Sequence, residues 1–131
     1  MPDVAPPSHP VTVLVADDNE VAQRLCRRVL EKAGHKVLTA SDGIEAVAVA
    51  LSTPLDMILM DVAMPGMDGL EAMRQIKAQK PGLAIVIASA HSMASDRERF
   101  LAAGADDVLS KPFRLTDLTA VVDKLVAKAA P

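Results

Sequence analysis

Five short apolar runs, each followed by a longer amphipathic segment, constrain the fold of this chain more than any other feature. The runs are VTVLVA (11–16), HKVLTA (35–40), DMILMD (56–61), LAIVIAS (83–89) and DDVLSK (106–111). They are too short for helices, several are rich in β-branched residues, and they are continuously apolar rather than alternating. Strands buried on both faces read this way. The intervening segments have helical spacing instead. In 21–33, Val21, Leu25, Val29 and Leu30 form one apolar face, with Arg24, Arg27, Arg28 and Glu31 opposite. Segments 44–51, 70–78, 93–102 and 115–126 repeat the pattern, and Gly34, Pro81, Gly82 and Gly104 supply stops. Strict βα alternation with right-handed crossovers gives an α/β fold: a doubly wound, five-stranded parallel sheet with helices on both faces.

A length of 131 residues suits one domain. Residues 1–10 (MPDVAPPSHP) read as a flexible Pro-rich segment, 11–128 as the domain and 129–131 as a tail. No apolar run approaches the ~18 residues of a membrane span, so membrane insertion is not expected. The N-terminus has neither the basic cluster nor the apolar stretch of a signal peptide. The single cysteine, Cys26, excludes a disulfide framework, and a cytoplasmic location is expected. The net charge of −3, the lack of Trp and Tyr and the presence of only two Phe argue against direct nucleic-acid binding.

In doubly wound sheets, ligands bind outside the carboxyl ends of the strands. There the sequence places Asp17 and Asp18 after the first run, Asp61 at the end of the third, Ser89 at the end of the fourth and Lys111-Pro112 at the end of the fifth. Three carboxylates gathered on one edge repel one another unless a cation intervenes, and oxygen donors suit a hard divalent ion such as Mg²⁺. A carboxylate beside a metal, an ammonium and a hydroxyl is a constellation for phosphoryl transfer. The carboxylate attacks, the cations neutralise the transferring oxygens, and the hydroxyl donates to one of them.

VLVADDN (13–19), MILMDVAMPGMDG (57–69), IVIASA (85–90) and VLSKPF (108–113) resemble, in order, the four motifs of the response-regulator receiver domain. The resemblance covers 11–128 and implies the CheY-like, flavodoxin-like (βα)5 fold with strand order 2-1-3-4-5. It implies that Asp61 is the phosphoacceptor, Ser89 the switch hydroxyl and Lys111 the phosphate-pairing ammonium. It further implies Mg²⁺, with Mn²⁺ as the alternative, held by Asp17, Asp18, Asp61 and the backbone carbonyl of Ala63. The Lys111–Pro112 bond is expected to be cis. The implied phosphoryl donor is a histidine kinase or a histidine phosphotransfer protein. The implied output is a downstream protein that binds the surface of helix 4, strand 5 and helix 5. Such a domain is a switch with self-phosphorylation and slow autodephosphorylation, not a multiple-turnover enzyme. The ADDN and DVAMPGMDG forms resemble receivers attached to hybrid histidine kinases, and both a stand-alone regulator and a receiver from a longer chain fit.

The sequence also departs from the family pattern. Many members carry an aromatic two or three residues before the motif lysine, whereas Val108, Leu109 and Ser110 precede Lys111 here. The usual aromatic flip is therefore not expected. Ala63 and His91 stand at two positions that, in the family, flank the approach of the hydrolytic water.

Other residues have plainer readings. Asp68 reads as a helix cap. Cys26 and most of the methionines read as packing. Arg97, Glu98 and Arg99 read as a solvated helix face, and Asp106-Asp107 as a loop entering the fifth strand. His9, His35 and His91 lack the helical setting of a phosphotransfer histidine. A phosphatase of the haloacid dehalogenase type needs a second Asp two residues after the nucleophile, where Ala63 stands. A phosphorylation-independent protein-binding module is the remaining alternative, although such modules usually lose one of the acids or the lysine.

Overall fold

A computed structural model of the chain describes residues 11–90 and 93–129, with side chains as far as Leu125. The elements alternate as the sequence predicts: β1 (Thr12–Ala16), α1 (Glu20–Lys32), β2 (Lys36–Ala40), α2 (Gly43–Ser52), β3 (Met57–Asp61), α3 (Gly69–Gln79), β4 (Ala84–Ser89), α4 (Ala94–Ala102), β5 (Asp107–Ser110) and α5 (Leu115–Ala129). The strands form one parallel sheet in the order β2-β1-β3-β4-β5. The Pro-rich segment 1–10 and His91 lie outside the described residues.

Successive residues of a strand point to opposite faces, and the two faces bury different helices. Leu14, Ala16, Ile58, Met60, Ile85 and Ile87 pack with Ala46 and Ala50 of α2, Met73 and Ile76 of α3 and Phe100 of α4. Val13, Val15, Met57, Leu59, Val86 and Ala88 pack with Cys26 and Leu30 of α1 and Leu118, Val122 and Leu125 of α5. The central strands β1, β3 and β4 are thus covered on both sides, which explains their unbroken apolar sequences.

Local chemistry sets the helix starts. Asn19 Oδ1 accepts from Val21 N at 2.9 Å and Ala22 N at 3.1 Å, which caps α1. Asp42 caps α2 through Glu45 N at 2.7 Å, and Asp68 caps α3 through Glu71 N at 2.9 Å, as predicted for Asp68. Helix α1 ends at Gly34, whose φ of 99° suits a residue without Cβ. There Gly34 N donates to the Glu31 carbonyl and His35 N to the Leu30 carbonyl, closing a Schellman motif. Helix α4 differs. Its cap position is Met93, which offers no side-chain acceptor, and Phe100 is its one buried residue.

Two expectations are corrected. The buried face of α1 is Gln23, Cys26 and Leu30, while Val21 is 72% and Leu25 47% exposed. The phase of the helix follows from Gln23, whose amide finds carbonyl partners at the strand ends and so can be buried. Asp107 is not in a loop. It opens β5, and its buried carboxylate accepts from Val108 N at 2.8 Å, Arg97 at 3.1 Å and Lys124 at 3.2 Å. Arg97 stays on the exposed face of α4, as expected, and also donates to the Val108 carbonyl at 3.0 Å, which ties α4 to β5. Asp106 likewise has fixed partners, Ile85 N and Lys77 Nζ, both at 2.8 Å.

Candidate functional site

The register of the sheet brings the strand-end residues together. Ala16 pairs with Met60, so Asp17 and Asp61 stand at the same level, and Ser89 pairs with Ser110, immediately before Lys111. Asp17 N continues the ladder one step by donating to the Ala40 carbonyl at 3.0 Å. The Asp17 carboxylate then accepts from Asn19 N at 2.9 Å and from Lys111 Nζ at 3.0 Å. Lys111 Nζ also lies 3.4 Å from Asp61 Oδ1. Asp18 is exposed, whereas Asp17 and Asp61 are buried. One oxygen from each of Asp17, Asp18 and Asp61 falls within a cluster 4.8 Å across.

The backbone around Asp61 is tightly packed. Gly69 N donates to the Val62 carbonyl at 2.9 Å, which folds the start of α3 back onto the end of β3. A Cβ on Gly69 would lie 2.0 Å from the Asp61 carbonyl oxygen, so only glycine fits there. The Ala63 N–H stands close enough to the Asp61 carboxylate to favour its charged form. Ser89 is buried at the end of β4, and its carbonyl accepts from Lys111 N at 2.8 Å. The Lys111–Pro112 bond is cis, as expected.

Electrostatics divides the cluster. Burial raises the Asp61 pKa, with Asp17 adding to the effect, while Lys111 and the Ala63 N–H oppose it. Burial alone would lower the Lys111 pKa, but its bonds to Asp17 and Asp61 outweigh that and raise it. Lys111 therefore serves as the counter-ion for two carboxylates, and three acids against one ammonium leave excess negative charge. Beside the cluster lies a groove of about 400 Å³ between α1 and the segment after β5, lined by Leu25, Cys26, Lys111 and Phe113 among others. The Cys26 thiol is pushed up to about 11, mainly by burial and further by Asp17, which keeps it protonated and fits its predicted packing role.

Asp17, Asp18, Asp61, Ser89 and Lys111 thus meet at one edge of the sheet, and Ala63 stands two residues beyond Asp61. Sequence reasoning missed Gln23. Its signal was faint: an uncharged polar residue at the same helical phase as Cys26 and Leu30, three and seven residues on.

Comparison with known proteins agrees with this geometry. Residues 13–123 match the response regulator receiver domain family. The response regulator MprA of Mycobacterium sp. (strain KMS) is 38% identical over 122 residues, covering 93% of this chain and 53% of that protein. MprA of Mycobacterium tuberculosis (strain ATCC 25177 / H37Ra) is 39% identical over 121 residues, 92% of this chain and 53% of that one. The chain therefore spans about half the length of these relatives. Among solved structures, the receiver domain of Francisella response regulator 1452 superposes with a TM-score of 0.88 at 29% identity, covering 92% of this chain and 99% of that one. The receiver domain of sensor histidine kinase PA1611 from Pseudomonas aeruginosa PAO1, solved with a magnesium ion in its active-site cleft, gives 0.82 at 35% identity, with 91% and 99% covered.

Proposed function

The chain belongs to the response regulator receiver domain family of two-component systems, and from that premise we propose that Asp61 is its phosphoacceptor. One observation carries the reading: the buried Asp61 carboxylate ends β3 with Lys111 Nζ at 3.4 Å and oxygens of Asp17 and Asp18 within 4.8 Å. The donor is the phosphohistidine of a histidine kinase or histidine phosphotransfer protein. A carboxylate oxygen of Asp61 bonds to phosphorus as the P–N bond breaks. The imidazole leaves with the electron pair and takes up a proton. Lys111 pairs with the oxygens of the transferred group, and the Ser89 hydroxyl donates to one of them.

The donor set fits Mg²⁺, because hard carboxylate oxygens with excess negative charge crowd one edge. Asp17, Asp18, Asp61 and the Ala63 carbonyl would hold the ion, with Mn²⁺ as an alternative. When bound, it neutralises charge on the transferring oxygens. Ala63 offers no carboxylate for multiple-turnover hydrolysis, so the reading is a switch with slow autodephosphorylation. Its output surface is α4, β5 and α5, where a downstream protein binds. Among the described residues no helix is long and apolar enough to cross a membrane, which is compatible with a cytoplasmic site of action.

Intact mass after incubation with acetyl phosphate, with and without Mg²⁺, tests the proposal. The expected result is a single Mg²⁺-dependent phosphoryl adduct that maps to Asp61 and is absent from Asp61→Asn. A folded protein that takes neither an adduct nor beryllofluoride would overturn it in favour of a phosphorylation-independent binding module.

A further inference from the structure

Gln23 is a polar side chain only 8% exposed, on the face of α1 that packs against the sheet. Its Nε2 donates to the backbone carbonyl of Asp17, and also approaches the Ala40 carbonyl at 3.3 Å and Ser41 Oγ at 3.2 Å. These partners lie where β1 and β2 stop pairing. The last β-bridge is Ala16 with Ala40, and beyond the bond from Asp17 N the two strands part. The Asp17 carbonyl thus leaves the ladder inside the protein, where a buried acceptor without a donor is destabilising. The Gln23 amide supplies the missing donor without adding charge beside the acids.

That carbonyl belongs to the peptide plane joining Asp17 to Asp18. Fixing its direction fixes the direction in which the Asp18 backbone departs, and with it the spacing of the two carboxylates. The Asp17 carboxylate has its own restraints, Asn19 N and Lys111 Nζ. From these contacts we infer that Gln23 is a positioning residue for the cation-binding pair Asp17-Asp18. It presets the pair's spacing by holding the peptide between them. The inference rests on the proposed role of these acids in holding Mg²⁺ and adds a residue that touches none of the ion's ligating atoms.

The test is Mg²⁺ binding to the unphosphorylated protein by isothermal titration calorimetry, in the parent, Gln23→Met and Ser41→Ala. Gln23→Met keeps the length and volume of the side chain and removes both donors. Its affinity for Mg²⁺ is expected to fall by about tenfold or more, as for other groups that orient metal ligands. The Mg²⁺ concentration for half-maximal labelling by acetyl phosphate should rise in parallel, while labelling at saturating Mg²⁺ recovers. Ser41→Ala deletes one acceptor but leaves the Asp17 carbonyl bonded, so its affinity should stay within about twofold. Gln23→Asn, whose amide falls one methylene short, is a milder second variant expected to weaken binding too, should Gln23→Met not fold. A merely structural role would lower the melting temperature and leave Mg²⁺ affinity in place, and parent-like affinity in a folded Gln23 variant overturns the inference. A parent that binds no Mg²⁺ would instead overturn the underlying reading of the acids, and this inference with it.

Discussion

Burial is the largest influence on the Asp61 carboxyl, and it raises the pKa above the ordinary 3.8. A raised folded pKa means that the native state favours the protonated form. The stability this contributes is fully present below the unfolded value and is lost as pH rises through the folded one. At neutral pH the ionised Asp61 therefore destabilises the fold. Asp61→Asn should raise Tm at pH 7, and the gap to the parent should narrow as the pH is lowered toward about 4. Thermal melts across that range check it, and a gap that widens toward acid would contradict the assignment. The acids and Lys111 were legible in the sequence because each follows an apolar run, and runs of that kind end on one edge. Gln23 and Asp107 were not, because residue type alone sends a polar side chain outward. What buries them is a set of partners, the strand-end carbonyls for Gln23 and Val108 N, Arg97 and Lys124 for Asp107, that only the folded chain assembles.

Among the elements, α4 is held least. Helices α1, α2 and α3 begin on Asn19, Asp42 and Asp68, each accepting a backbone N–H, whereas Met93 accepts none and is 76% exposed. One buried side chain, Phe100, and the bonds from Arg97 to β5 anchor the helix. The backbone of α4 is expected to exchange its amide hydrogens faster than α1, α2 or α3, which hydrogen-exchange mass spectrometry can read. The remedy follows from local geometry. Met93 has φ −67° and ψ 164°, the extended conformation of a cap, and lacks only an acceptor. Met93→Asp should stabilise the protein by about 1 kcal/mol, seen as a higher urea midpoint with an unchanged slope, and should slow exchange in α4. The sequence reveals α4 as a helix through its spacing. Its weak attachment depends on how few of its residues reach the sheet, which spacing alone does not measure.

At the scale of the whole molecule, the fold pays no heed to the charges on one edge; it is set by two apolar layers divided by a sheet. That division is why the order of elements could be read from the runs alone, while the strand order came from resemblance to a family. One oxygen from each of the three carboxylates lies within 4.8 Å of the others, at the edge to which those layers bring the strand ends. A ligand that binds only the native state stabilises it by mass action. Mg²⁺ at a hundredfold excess over its dissociation constant should add about 2.7 kcal/mol, a Tm rise on the order of 10 °C for a domain of this size. EDTA should reverse the rise, and Asp18→Asn should diminish it. A melting curve indifferent to Mg²⁺ would contradict the assignment of these acids as its ligands.

Gly69 carries no chemistry, yet its missing Cβ is the clearance that lets the first turn of α3 lie against the carbonyl of Asp61. The two positions are therefore bound together in the space of allowed sequences. A lineage could exchange many of the apolar residues of β3 for others of similar size and keep the acid where it is. It could not place a side chain at position 69 without moving the end of the strand that carries it. In a mutational survey scored only by signalling, position 69 would look like a member of the reactive centre, although what it supplies is room.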